Sequence, residues 1–174
     1  TMLITLGVCG LKYNWFGKSV VRTCYCGVKW LGGKLENIEK FNLTVSEILS
    51  RSYESFPSEI NFYYRDIAFS VAQYYGEDYF QDNGLNLEII CRDTMTWLEQ
   101  AGYLWLRFPV GQEQSHGVRL SPKALELMNM IPTSLDQKKS IGDILLGGVK
   151  ETGKLGALDA IKALLSAGVT LIGS

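Results

Sequence analysis

Residues 94–128 read TMTWLEQAGYLWLRFPVGQEQSHGVRLSPKALELM, and this stretch decides the fold. Its opening completes a helix predicted over Leu87–Ala101, with Ile90, Thr94, Trp97, Leu98 and Ala101 at inward spacing. Arg92, Asp93, Thr96, Glu99 and Gln100 fall on the opposite side. Gly102 supplies a helix stop, because a glycine takes the left-handed conformation that ends a helix at little cost. Tyr103–Phe108 then reads as a strand, Pro109–Ser115 as a polar turn and Gly117–Leu120 as a returning strand. Ser121-Pro122 opens another helix, serine as cap and proline at the first helical position. Leu125, Leu127 and Met128 give that helix its apolar side, and Pro132 closes the whole block.

Working toward the N-terminus, Asn83-Gly84 marks a turn inside a polar stretch over residues 76–86. Before it, Asp66–Tyr75 has helical spacing with Ile67, Val71 and Tyr74 or Tyr75 inward, and Gly76 ends it. Ile60–Tyr64 is short, aromatic and strand-like. Thr44-Val45-Ser46-Glu47 has the form of a capping box, a hydroxyl followed three residues later by a carboxylate. A helix is therefore expected from Thr44, with Val45, Ile48, Leu49, Tyr53 and Phe56 along one stripe and Pro57 as its stop.

Helix, strand, helix, helix, hairpin, helix is the order over Val45–Ile131, and it resembles the winged helix-turn-helix domain. The resemblance rests on the glycine-ended helix, the hairpin and the closing VRLSPKALELM. It implies an α+β fold with a two-stranded wing. The long turn at 76–86 departs from the family, whose two central helices are joined by three or four residues. In DNA-binding members the second helix of the motif enters the major groove and the wing holds phosphates. By position, the resemblance implies Arg92 and Thr96 as base-facing residues of helix 87–101, and Arg107, Gln112, Gln114, His116 and Arg119 as wing contacts.

Charge opposes that implication. Residues 35–131 hold seven basic and fourteen acidic side chains, and the reading helix sets Glu88, Asp93 and Glu99 against one arginine. Affinity for nucleic acid comes largely from lysine and arginine displacing counterions, so an acidic reading face attracts it poorly.

The two ends differ from this middle. Residues 1–34 carry five basic and no acidic residues, and they contain Cys9, Cys24 and Cys26. They are read as an extension to a winged-helix-like domain at 35–132. Their longest uncharged run, Thr1–Leu11, is too short to cross a bilayer and lacks the flanks of a secretory signal. Residues 133–174 form a Gly/Ala-rich tail with two amphipathic stretches divided at Gly153. In the second stretch Leu155, Leu158, Ile161 and Leu164 form an apolar arc, and Gly156, Ala160, Ala163 and Ala167 form a stripe of small residues beside it. Small residues at this spacing let helices approach closely. These eight residues are the candidate helix-packing interface, for folding back onto the domain, for self-association or for a partner helix. A membrane surface is a weaker partner, since surface-binding helices favour a strongly basic polar face.

Enzyme chemistry finds little support. Cys24-x-Cys26 lacks zinc-knuckle spacing, and the four cysteines are expected as free thiols in the cytoplasm. No phosphate-binding glycine loop is present. His116 is the one histidine. A pair with Cys91 would lack the third group that orients a base. No cofactor, metal or small-molecule substrate is expected. The sequence points to a regulatory or protein-interaction module, partnered by another protein or by itself, with sequence-specific DNA binding as the alternative.

Overall fold

The computed structural model describes residues 29–76, 78–132, 139–147 and 153–170, and the side chains of 36–169 within those spans. The extension at 1–28, with Cys9, Cys24 and Cys26, lies outside the described residues. The chain is a mostly helical α+β protein with a small antiparallel sheet and a C-terminal helix.

α1 (Lys29–Ser55) is a 27-residue helix, about 40 Å long at 1.5 Å per residue. It begins well before Thr44 and passes through the expected boundary at residue 34. The capping box expected at Thr44-Val45-Ser46-Glu47 does not form. Thr44 is a mid-helix residue whose Oγ1 donates to the Lys40 carbonyl at 2.8 Å. Ser52 does the same to Ile48 at 2.8 Å. These return bonds satisfy the hydroxyls inside their own helix, so α1 can be buried on nearly all sides: Asn42–Ser46, Ile48, Leu49 and Ser52 are all buried. Pro57 follows its end, as expected.

β1 (Ile60–Tyr63) leads into α2 (Tyr64–Gln73), which buries Ile67, Ala68, Val71 and Ala72. α3 (Tyr79–Gln100) starts eight residues earlier than predicted. The Asn83-Gly84 turn signal is overridden. Gly84 is buried beneath Phe80, whose ring atoms lie 3.2–3.4 Å from where a Cβ would stand, and Asn83 Nδ2 donates to the Tyr79 carbonyl at 3.2 Å. Here glycine provides a close approach instead of a bend. The connection between α2 and α3 shrinks to residues 74–78.

β2 (Leu104–Leu106) and β3 (Gln114–Leu120) form the expected hairpin, with Leu104 opposite Leu120 and Leu106 opposite Val118. β3 is longer than predicted because it also pairs with β1, setting Tyr63 opposite Gln114 and Phe62 opposite Ser115. The hairpin is thus part of a three-stranded sheet in the order β1-β3-β2. Gly117 takes φ +64, where the register with β1 shifts. α4 (Pro122–Asn129) starts as the sequence reads. Ser121 Oγ accepts from the Ala124 N–H at 3.2 Å and donates to the Gly102 carbonyl at 2.7 Å.

α5 (Ile141–Leu146) begins at a capping box of Ser140 and Asp143. α6 (Gly153–Thr170) follows, with Gly153 at φ +64. Both pack on α1 and on each other, and both touch α4. Ile141, Ile144, Leu145, Ala157, Leu158, Ala160, Ile161 and Leu164 belong to the same core as Leu43, Ile48, Leu87 and Leu98. The two C-terminal helices therefore complete the core around α1.

Candidate functional site

α3 places its side chains by the 100° step of the helix. Leu87, Cys91, Thr94, Met95 and Leu98 turn into the core. Of the positions expected inward, Thr94 and Leu98 are buried, Ile90 and Ala101 are half-buried, and Trp97 is 40% exposed. Trp97 lies against Phe41 and Tyr103, at centroid distances of 5.2 and 5.9 Å. The opposite face carries Leu85 at 80% exposure and Ile89 at 50%. Asp82 and Asp93 fall along one flank of that pair and Glu88 along the other.

Arg92 is the one basic residue of α3, and the chain's own acceptors engage it. Its Nη2 and Nε reach Asp93 Oδ1 at 3.2 and 3.3 Å, and its Nη1 donates to Gln112 Oε1 of the hairpin loop at 3.2 Å. Thr96 Oγ1 donates back to the Arg92 carbonyl at 3.1 Å. The hairpin arginines are engaged too: Arg107 Nη2 lies 2.8 Å and Arg119 Nη2 3.7 Å from Glu59 Oε1. Arg119 stands opposite Trp105 in the sheet, and Gln114 and His116 lie half-buried on β3. The fold thus joins Arg92 to the hairpin through Gln112 and gathers Arg107 and Arg119 around Glu59. Across α2, α3 and the described turn between them, two basic residues, Arg65 and Arg92, are outnumbered by the acids Asp66, Asp78, Asp82, Glu88, Asp93 and Glu99.

The candidate packing residues of α6 face two ways. Leu158, Ala160, Ile161 and Leu164 are buried in the chain's own core. Gly156, Ala163 and Ala167 are half-buried on its flank, and Leu155 stands 76% exposed. A polar clasp holds the start of α6. Lys154 Nζ pairs with Glu39 Oε1 at 2.5 Å and lies 3.8 Å from the centroid of the Tyr75 ring. Tyr75 donates to Glu39 at 2.8 Å and stacks on Tyr79, which donates to Glu36 at 2.9 Å. The Lys154 ammonium holds Glu39 below the usual carboxylate range, and Lys40 does the same for Glu36.

A second polar cluster lies between α1 and α2. Arg51 Nη2 donates to Ser70 Oγ at 2.6 Å and sits 3.4 Å from Glu47 Oε2, while Tyr74 donates to Glu47 Oε1 at 3.3 Å. Burial pushes the Glu47 carboxyl up despite these partners. Burial also pushes the Cys91 thiol up to about 12, against a hydrogen bond with Thr44. A thiol of that kind is a poor nucleophile near neutral pH, since the thiolate is the reactive form. Among the described residues no group of three or more His, Cys, Asp or Glu is placed to hold a metal ion. No described helix is long and apolar enough to cross a membrane.

Sequence reasoning missed Leu85, Ile89 and Glu59. Leu85 lies in the stretch that reads as a turn. Carrying the inward series Leu98, Cys91, Leu87 back by three and four residues reaches Gly84 and Phe80, and this extension would have set Leu85 and Ile89 on the outward side. Glu59 sits in no motif, and only the fold shows that two arginines converge on it. Searches of protein-family models, of curated proteins and of solved structures each return no match to the chain.

Proposed function

We propose that the chain is a winged-helix-type interaction module whose docking surface is the outward face of α3, and that its partner is a protein. The winged-helix reading is supported by the order α1-β1-α2-α3-β2-β3, by the sheet order β1-β3-β2 and by the five-residue link between α2 and α3. The observation that carries the function is the outward face of α3 itself. On a DNA reader that face would present free cations and polar groups to base edges and phosphates. Here it presents Leu85 and Ile89 between carboxylates, with Arg92 already bonded to Asp93 and Gln112. Exposed apolar side chains rimmed by charge suit a protein surface. α6 is the weaker docking candidate, because its apolar side is occupied by α1, α4 and α5.

Two assays on the full chain test this reading. Duplex DNA of mixed sequence is titrated at low salt, where non-specific readers bind with Kd of about 10⁻⁴–10⁻⁶ M or tighter. No retardation is expected in that range. A photocrosslinking amino acid is then placed at Leu85, or at Leu155 as a control, in cells. A discrete protein adduct at 85 that disappears with Ile89→Asp is expected. DNA binding lost on Arg92→Ala, or an adduct confined to 155, would overturn the reading.

A further inference from the structure

We infer that the outward face of α3 seats a basic amphipathic helix belonging to a partner protein. This rests on the docking-face reading above and adds the chemistry of what docks.

Leu85 and Ile89 stand four residues apart and form one ridge of the helix. Such a ridge fits the groove between corresponding rows of a second helix. Among the described residues the ridge has little cover, with Leu85 the most exposed large apolar side chain. Its surroundings restrict the occupant. Asp82 and Asp93 lie on one flank and Glu88 on the other. Arg92, the one cation of α3, spends its donors on Asp93 and Gln112. On α2, Arg65 lies over the Phe80 ring, 5.7 Å from its centroid, and Phe80 meets Phe69 edge-on.

Three kinds of occupant fail on this arrangement. A nucleic acid brings phosphates against carboxylates. A second copy joined by a two-fold axis meets the same patch of its partner, setting Asp82 and Glu88 near their own equivalents, while the one cation of α3, Arg92, is already paired with Asp93. A purely apolar surface would strip water from carboxylates and return no partner to them, which is costly. A helix with an apolar stripe flanked by lysine or arginine meets every requirement. Its stripe covers Leu85 and Ile89, and its cations reach both acidic flanks.

The probe is a fluorescent 18-residue leucine/lysine helix with an amphipathic repeat. A leucine/glutamate counterpart and a leucine/lysine peptide of scrambled periodicity serve as comparisons. Binding to the full chain is read by anisotropy and located by amide chemical shifts. The expected result is that the amphipathic lysine peptide binds about tenfold or more tighter than both comparisons, a usual margin for a contact with an anchored core. Shifts should cluster over residues 81–96. Leu85→Ser with Ile89→Ser should weaken binding about tenfold or more. Asp82→Asn with Asp93→Asn should weaken it and flatten its salt dependence. All four side chains are exposed, so the thermal melts should stay unchanged.

Equal binding of the glutamate and lysine helices, with shifts still on α3, overturns the cationic assignment and leaves the docking face standing. Shifts elsewhere, or indifference to these substitutions, overturn both. A dimer in light scattering that dissociates with Ile89→Ser assigns the face to a second copy and overturns the proposal.

Discussion

Gly142→Ala is the sharpest test of how the C-terminal helices are seated. Gly142 is the second residue of α5 and lies against Tyr53 of α1. A methyl group added there stands 2.7 Å from Tyr53 Cε1, 2.9 Å from Cζ and 3.2 Å from the Met128 carbonyl oxygen. The two ring distances are well inside van der Waals contact, and the carbonyl distance is tight. Moving the ring away costs the hydrogen bond that the Tyr53 hydroxyl donates to Asn129 Oδ1 at 2.8 Å. The carbonyl belongs to the main chain of α4. Overpacking of this kind costs about 1–3 kcal/mol. Against it, alanine recovers at most about 1 kcal/mol of helix propensity, and less at a helix end. The net expectation is a loss of about 1–2 kcal/mol, or roughly 2–8 °C in Tm for a chain of this length. Urea and thermal unfolding followed by circular dichroism measure it. Tyr53→Ala removes the obstructing ring, so Gly142→Ala in that background should cost at least about 0.5 kcal/mol less. A neutral or stabilising Gly142→Ala, or strict additivity with Tyr53→Ala, would refute the packing of α5 on α1.

Three further outcomes follow from single sites. Ile161→Ala should cost about 2–5 kcal/mol in denaturant titration, because it hollows a fully buried position of α6 in the shared core. A cost within experimental error would mean that α6 does not belong to that core. Gly117→Ala should destabilise by about 1–3 kcal/mol, since φ is +64 and the new Cβ would lie 2.6 Å from Arg107 Cβ. An unchanged melt would contradict the strand geometry. Glu47 is raised by burial, so its protonated form is favoured by folding. Its contribution is fully present below the ordinary glutamate value and is lost as pH rises through the raised one. Stability measured as Glu47→Gln minus parent should therefore grow with pH across that window, and a flat difference would sink the assignment.

The sequence carried the arrangement from Leu87 to Met128 well, because its signals are local. Ser121-Pro122 is a cap followed by a fixed φ, and Gly102 has φ +73 at the end of α3. Those residues dictate their own geometry. The misreadings share one cause, a local rule overruled by packing. Thr44 and Glu47 have the spacing of a capping box, yet Thr44 bonds backward to Lys40 because α1 continues in both directions. Gly84 has the look of a turn, yet the Phe80 ring occupies the place of its missing side chain. Pairing of β1 with β3 joins residues more than fifty positions apart and leaves no trace in either strand alone. The candidate site followed the same division. Arg92, Thr96, Arg107, Gln114, His116 and Arg119 could be placed by position, but that Glu59 gathers Arg107 and Arg119 is a tertiary fact.

That tertiary fact changes what the arginines can do. An arginine that holds a phosphate gains by releasing counterions and forming a charge-assisted bond. Arg107 already pairs with Glu59, and Arg92 with Asp93 and Gln112. A phosphate brought to either guanidinium must displace that carboxylate or sit beside it, and both outcomes weaken the exchange. The apolar ridge involves no such exchange. Among the described residues Leu85 and Ile89 keep much of their surface in water, and releasing that water favours association. The positions that build the helix pair and sheet point inward and are indifferent to what binds outside. The outward positions are the ones a partner meets, and on α3 exposed Leu85 and Ile89 lie between acidic flanks, which is the ground of the docking proposal.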